Sequence, residues 1–323
     1  MREGWVLAAT VLTAVLGFIA LSLTPDLSAS LGTTLLIAVW VGCAIAIVLA
    51  MIIFAIVSMM LRGIERPIRV SLNFLFENRK RIGAVAALTF LAGLNMIAFL
   101  LAKPLLNHYV PFGADPLLAD IDSALFFGAP ARFLTWLNTT PLALFYHRGW
   151  FALLIAALLL TLWQPPSQRK SALMLTYFLL WSIAGPLVHI LLPAGGPIFY
   201  SALGYGDRFD GMFNEPRTQQ AINFLWRQYS TRGIVGGSGI SAMPSLHIAT
   251  TAWAVLAIWI FAPRWRIPTI ALSTLITALS VSLGWHYAVD GIVGGLLAVS
   301  IYVLMLQLLA PTHTETKQVT AAG

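Results

Sequence analysis

Two short stretches of the 323-residue chain carry side chains whose types and spacing suit nucleophilic and acid–base chemistry on an anion. The first is Ser241-Ala242-Met243-Pro244-Ser245-Leu246-His247, at the start of an apolar run. Proline suits the first turn of a helix. The N–H groups of Ser245, Leu246 and His247 are therefore expected to point out of a positive helix end, a ready site for an anion. A histidine there can hand a proton to a leaving oxygen. The second stretch is Gly284-Trp285-His286-Tyr287-Ala288-Val289-Asp290. With a helix running from His286, the i, i+4 spacing sets Asp290 on the face of the imidazole. The carboxylate then holds one ring nitrogen as N–H, leaves the other free to attack, and stabilises the cation that forms.

The elements that must position these residues are membrane spans. The chain is 59% hydrophobic and only 10% charged, against about 25% charged residues in soluble domains. Crossing a bilayer takes roughly 20 mostly apolar residues. Eight spans are the simplest reading: Trp5–Leu23, Leu31–Met60, Gly83–Ala102, about Gly149–Trp163, Ala172–Leu192, Ile248–Phe261, Ile267–Trp285 and Ala288–Ala310. The first exceeds a signal-peptide apolar core and is read as a retained helix. The fold class is thus an all-α integral membrane bundle, with the catalytic part made mainly by the later spans. It divides into an extra two-span segment (1–82), a membrane domain (83–310) and a short tail (311–323).

Basic residues orient the bundle. Arg62, Arg66, Arg69, Arg79, Lys80 and Arg81 follow span two, Arg169 and Lys170 follow span four, and Arg264 and Arg266 follow span six. Eight spans place all of them on one face with both termini, and the Lys/Arg bias makes that face cytoplasmic in a plasma (inner) membrane. Two long connections, Lys103 to Arg148 and Pro193 to His247, lie on the opposite face. Long connections of this kind are commonly functional. The first includes an apolar stretch, Ala124–Trp136, read as an amphipathic helix in the interface. Span six runs inward from His247 and span seven returns to His286, so both histidines reach the same depth. The net charge of +7 reflects this topology and anionic head groups, not nucleic acid. The single cysteine, Cys43, excludes an intrachain disulfide and a multi-cysteine metal site.

A lone histidine at a helix end is more often a hydrogen-bonded structural residue than a catalyst. Two on one face, one after Pro-Ser and one before an i+4 aspartate, at a membrane boundary where ionisable groups are costly, favour catalysis. His189 reads as a packing residue inside span five. His147, beside Arg148, either enters the site or marks the interface, with the interface reading first; His108 is a weaker version of the same case, and His313 lies in the tail. Asp120 and Asp122 suggest a metal but match no calcium loop, and there is no HExxH zinc motif. The glycine-rich Gly195-Gly196-Pro197 and Gly236-Gly237-Ser238-Gly239 do not form a Walker pattern and are read as letting the loop fold over the site.

Met243-Pro244-Ser245-Leu246-His247 and Gly284-Trp285-His286-Tyr287-Ala288-Val289-Asp290-Gly291 together resemble the type 2 phosphatidic acid phosphatase superfamily. Leucine in place of glycine in Pro-Ser-Gly-His, and the stretch Asp122-Ser123-Ala124-Leu125-Phe126-Phe127-Gly128, are similar to the branch containing inositol phosphorylceramide synthases. The resemblance implies a metal- and cofactor-independent mechanism through a phosphohistidine. His286 would be the nucleophile, Asp290 its orienting partner and His247 the acid, with Ser245 and neighbouring N–H groups cradling phosphate. The implied partners are a lipid phosphate or phospholipid in the membrane and, for a transferase, an alcohol or sphingolipid-like acceptor in place of water.

Two positions depart from the family pattern. Ser280 stands where arginine precedes the last histidine by six residues, and KxxxxxxRP has no match in the outer loop. Arg66-Pro67 falls on the wrong face. Phosphoryl transfer still needs cationic or N–H stabilisation, and the outer loop offers Arg208, Arg217, Arg227 and Arg232. Arg208, Arg217 and Arg232 are taken as substrate-binding candidates. A transporter is the competing class, but it would put polar motifs at mid-membrane, whereas here they sit at span ends.

Overall fold

The computed structural model describes residues 4–23 and 27–310, with the side chains of 27–31 outside that description, as is the predicted tail from Pro311. Among the described residues all regular structure is helical. Six helices among the described residues are long and apolar enough to cross a membrane: Trp5–Ser22, Gly32–Leu61, Arg79–Tyr109, Thr140–Trp163, Gln168–Leu191 and Ala288–Leu308. The elements that contain them are α1 (Trp5–Ser22), α2 (Leu27–Leu61) and, after a short amphipathic α3 (Pro67–Glu77), α4 (Arg79–Tyr109). Next come two shorter helices, α5 (Asp115–Phe126) and α6 (Pro130–Leu134), and then α7 (Thr140–Trp163). The fifth predicted span is α8 (Gln168–Leu179), a widened turn at Leu180–Ala184, and α9 (Gly185–Leu191). The widened turn precedes Pro186, which has no N–H to give the ladder.

α10 (Pro216–Ser230) lies in the second outer connection, and α11 (Leu246–Phe261), α12 (Arg266–Ser282) and α13 (Ala288–Leu308) complete the chain. All eight predicted spans recur as helices, but α11 and α12 have 16 and 17 residues. At 1.5 Å per residue they reach about 25 Å, short of the full hydrocarbon thickness. The seventh span was expected to run to Trp285. It stops at Ser282 because Gly284 turns the chain at φ +79°. A Cβ there would strike the Phe213 ring. The expected amphipathic helix Ala124–Trp136 is likewise broken, since Phe127 and Gly128 both take positive φ before Pro130. The broken segment still presents Leu125, Phe127, Phe133 and Trp136 outward.

α11 is the central helix, packed on α13, α7, α12 and α8, while α1 lies along α4 and α8. Small side chains allow the close approach, as expected where lipid supplies no hydrophobic drive between helices. Ala249, Ala254 and Ala257 on α11 are fully buried, and a Cβ added to Gly294 of α13 would lie 2.5 Å from the Ser245 carbonyl oxygen. Two indole N–H groups tie neighbouring helices: Trp253 donates to the Leu173 carbonyl at 2.8 Å and Trp150 to Thr250 Oγ1 at 3.0 Å. At one end of the bundle Arg81 meets the Trp163 carbonyl and Gln168 donates to the Leu306 carbonyl. The two motif histidines lie together at the other end.

Candidate active site

The chain entering α11 is pinned from several sides before it reaches His247. Asn107 of α4 pairs with both backbone groups of Ile240, each at 2.7 Å, and the Ala242 N–H donates to the Ala194 carbonyl at 2.8 Å. Ser245 caps the helix, its Oγ accepting the Ile248 N–H at 3.3 Å. That is the usual role of serine at this position. The Ser245 N–H was expected to face outward, but it donates to the Asp290 carbonyl at 3.2 Å and so ties α11 to α13. The first-turn N–H groups of Leu246 and His247 have no partner inside the helix.

The His247 ring is held by α7. It stacks on Tyr146, with centroids 5.2 Å apart and planes at 21°, and lies 4.1 Å from the Trp150 ring. The His286 ring is 6.2 Å away. His286 itself precedes α13 instead of starting it: Tyr287 is the N-cap and Ala288 the first helical residue. The relation to Asp290 survives this correction in looser form, with His286 Nδ1 3.6 Å from Asp290 Oδ2. The nearer partner of Nδ1 is the Ala242 carbonyl oxygen at 2.8 Å. A carbonyl only accepts, so Nδ1 carries a proton, and in the neutral ring Nε2 is the nitrogen with the lone pair. Asp290 Oδ2 also accepts the Tyr287 N–H at 2.9 Å.

The acidic residues of α5 hold this turn in place. Asp115 accepts from the N–H groups of Gly195 and Gly196 and from the Tyr287 hydroxyl, at 2.8–2.9 Å. Gly196 is required there, because at φ +101° its Cβ would lie 2.6 Å from the Trp285 carbonyl oxygen. Asp122 accepts from Ala288 and Val289 at 2.7 and 2.9 Å, capping α13 from outside the helix. Burial pushes both carboxyls up from the ordinary range, against the pull of these donors. Among the described residues no cluster of three or more His, Cys, Asp or Glu side chains is arranged to hold a metal ion.

His247, His286, Asp290 and Ser245 are thus brought together. Arg208 is engaged elsewhere, on Asp120 at 2.6 Å, the Ala119 carbonyl and Ser123 Oγ, so it fastens the outer loop to α5. Arg217 and Arg232 are exposed, on the first turn of α10 and just after its end. Neither makes a side-chain bond to the imidazoles. Ser280 is buried and its carbonyl accepts the His286 N–H at 3.3 Å. His189 bonds to Asn107 at 3.3 Å, in keeping with a packing role.

Two further residues join the cluster, His147, for which the sequence put the site reading second to an interface marker, and Lys103, which it did not single out. His147 of α7 lies 6.0 Å, ring to ring, from His247 and 5.9 Å from Trp285. Lys103 of α4 lies within electrostatic reach of His247 and His189. The spacing of Tyr146, His147 and Trp150 was a usable signal for the first, since it places three ring-bearing side chains within about one turn of a helix.

The described helices thus form an apolar bundle with two imidazoles 6.2 Å apart at one end. The family model described as PAP2 superfamily matches residues 116–304, more than half of the chain. The chain belongs to the PAP2 superfamily, whose activities are of the phosphatase and phosphotransferase type. No curated protein and no solved structure gives a match.

Proposed function

We propose that this protein is a membrane-embedded lipid phosphate phosphatase or phosphotransferase working through a phosphohistidine at the outer membrane face. The observation that carries the reading is the Ala242 carbonyl on His286 Nδ1, which leaves Nε2 as the attacking atom, with the His247 ring 6.2 Å away. Nε2 attacks phosphorus, and His247 protonates the departing lipid oxygen. The acceptor, water or an alcohol hydroxyl, then discharges the phosphoenzyme. The open N–H groups at the start of α11 suit the charge that develops on the phosphoryl oxygens. Arg217 and Arg232, both exposed, remain candidates for drawing the phosphate in, whereas Arg208 would first have to leave Asp120 and Ser123. An apolar groove of about 760 Å³ between α11, α12 and α13, reaching Ala288 at its outer end, suits a hydrocarbon chain. The transferase form, resembling inositol phosphorylceramide synthase, uses the same first step.

The test is to incubate purified protein with labelled lipid phosphates, with and without inositol- or ceramide-type partners, and identify the products. Release of phosphate or a transferred phosphoryl group, abolished in His286→Ala, is expected. Turnover persisting in His286→Ala would refute the assignment.

A further inference from the structure

His147 projects from the second turn of α7, beside Tyr146 and three residues before Trp150, the two residues that hold His247. Its ring meets His247 and Trp285 edge-on, at interplanar angles of 69° and 71°. The side chain is exposed, whereas His247 is half-buried against Tyr146 and Trp150. No described residue hydrogen-bonds the His147 ring, so its nitrogens are available. The helix end that carries it is anchored, since Thr140 donates to Glu215 at the start of α10 at 2.8 Å.

An in-line displacement sets the attacking and leaving atoms on opposite sides of phosphorus. With His286 on one side, the departing lipid oxygen and later the acceptor oxygen share the other. Two imidazoles stand near His286: His247, 6.2 Å away and wedged among aromatic rings, and His147, 6.0 Å from His247 and open. The wedged ring suits the lipid oxygen, and the open one suits an acceptor arriving from outside.

We propose that His147 is a third catalytic residue, the general base that takes the proton from the acceptor hydroxyl as the phosphoenzyme is discharged. The proposal rests on the reading of His286 as nucleophile. The acceptor O–H gives its proton to a ring nitrogen of His147, and the acceptor oxygen bonds to phosphorus. The phosphorus–nitrogen bond breaks, and its electron pair returns to His286 Nε2. The imidazolium of His147 then loses its proton to the solvent it faces. No co-reactant beyond the acceptor is needed.

Rapid quench with a labelled aryl phosphate tests this in the wild type, His147→Ala, His147→Gln and His286→Ala. Both His147 variants are expected to form the phosphoenzyme at the wild-type rate but to discharge it about 10²-fold more slowly, the lower range for a lost general base. Labelled phosphohistidine then accumulates, the acid limb of the discharge pH profile disappears, and added imidazole speeds discharge in His147→Ala. The glutamine variant keeps most of the volume against Trp285, so the same defect in both marks chemistry instead of packing. Discharge at the wild-type rate in both variants overturns the proposal. So does equal slowing of formation and discharge with a raised KM, which assigns His147 to binding. If His286→Ala still turns over, the nucleophile reading falls and this proposal with it. A dead His286→Ala beside normal discharge in the His147 variants overturns this proposal alone.

Discussion

His286 Nδ1 lies 2.8 Å from the Ala242 carbonyl oxygen, closer than the 3.6 Å to Asp290 Oδ2. The tautomer of the ring proposed as nucleophile is therefore set by the backbone of the loop that delivers His247. One strand of chain fixes the proton on one histidine and the position of the other.

Asp290→Asn separates the two influences on His286. Where an aspartate alone sets the tautomer, its conversion to asparagine costs roughly 10⁴-fold in kcat. Here the Ala242 carbonyl keeps Nδ1 protonated, so the expected loss is smaller than that and reflects the missing charge. Measured kcat values decide it: a loss equal to that of His286→Ala would show that the carboxylate, not the carbonyl, governs the ring.

Gly294→Ala tests the close contact of α13 with the start of α11. Its Cβ would lie 2.5 Å from the Ser245 carbonyl oxygen, a backbone atom unable to swing aside. Overpacking of this kind costs about 1–3 kcal/mol. The helices must part just where Ser245 and Asp290 are bonded. A lowered melting temperature and a large loss of turnover are expected. A variant as active and stable as the wild type would mean the contact yields without disturbing the site.

Glu215 gives the outer loop a dependence on acid. Burial alone would raise its carboxyl, but the N–H groups of Thr218 and Arg217 and the hydroxyls of Thr218 and Thr140 hold it below the usual range. A depressed value in the fold means that the stabilisation is present above the unfolded value of about 4.3 and is lost as pH falls through the folded one. Hydrogen exchange over 216–230, corrected for intrinsic rates, should show protection declining in that acid window. In Glu215→Gln protection should be low throughout. Protection that ignores pH in the wild type would contradict the role given to the carboxylate.

The proposed outward orientation can be tested chemically. Ser201 is exposed in the loop between α9 and α10, and Ser201→Cys in a Cys43→Ala background should react with an impermeant thiol reagent on intact cells. Labelling only after the membrane is opened would invert the topology drawn from the charge distribution.

Chelation offers a further check. The proposed steps use imidazole and backbone groups alone, so turnover is expected to survive EDTA. Full loss, restored by one divalent ion, would require a different mechanism.

Much of the scaffold was legible because apolar runs report spans directly, and the two histidine motifs carried their own spacing. Span ends were less so. α7 begins nine residues before its predicted start, although Thr139 and Pro141 mark a helix start there. The sequence signal for α12 ran past Ser282 because nothing local announces that Phe213 will fill the space beside Gly284. The Ala242 carbonyl was unreadable in principle, since a backbone acceptor has no letter of its own. Asp115 and Asp122 carried a visible charge, but their partners lie 80 or more positions away and became evident only once the fold had joined them.

Asp122 occupies the positive end of α13 with a carboxylate that belongs to the protein, while the same end of α11 keeps open N–H groups. Of two helix ends flanking the imidazoles, one is therefore already neutralised. A phosphate bound as proposed would meet a lopsided field and be turned toward α11. The protein's own anion would close off the berth at α13 and leave the one at α11 without a rival.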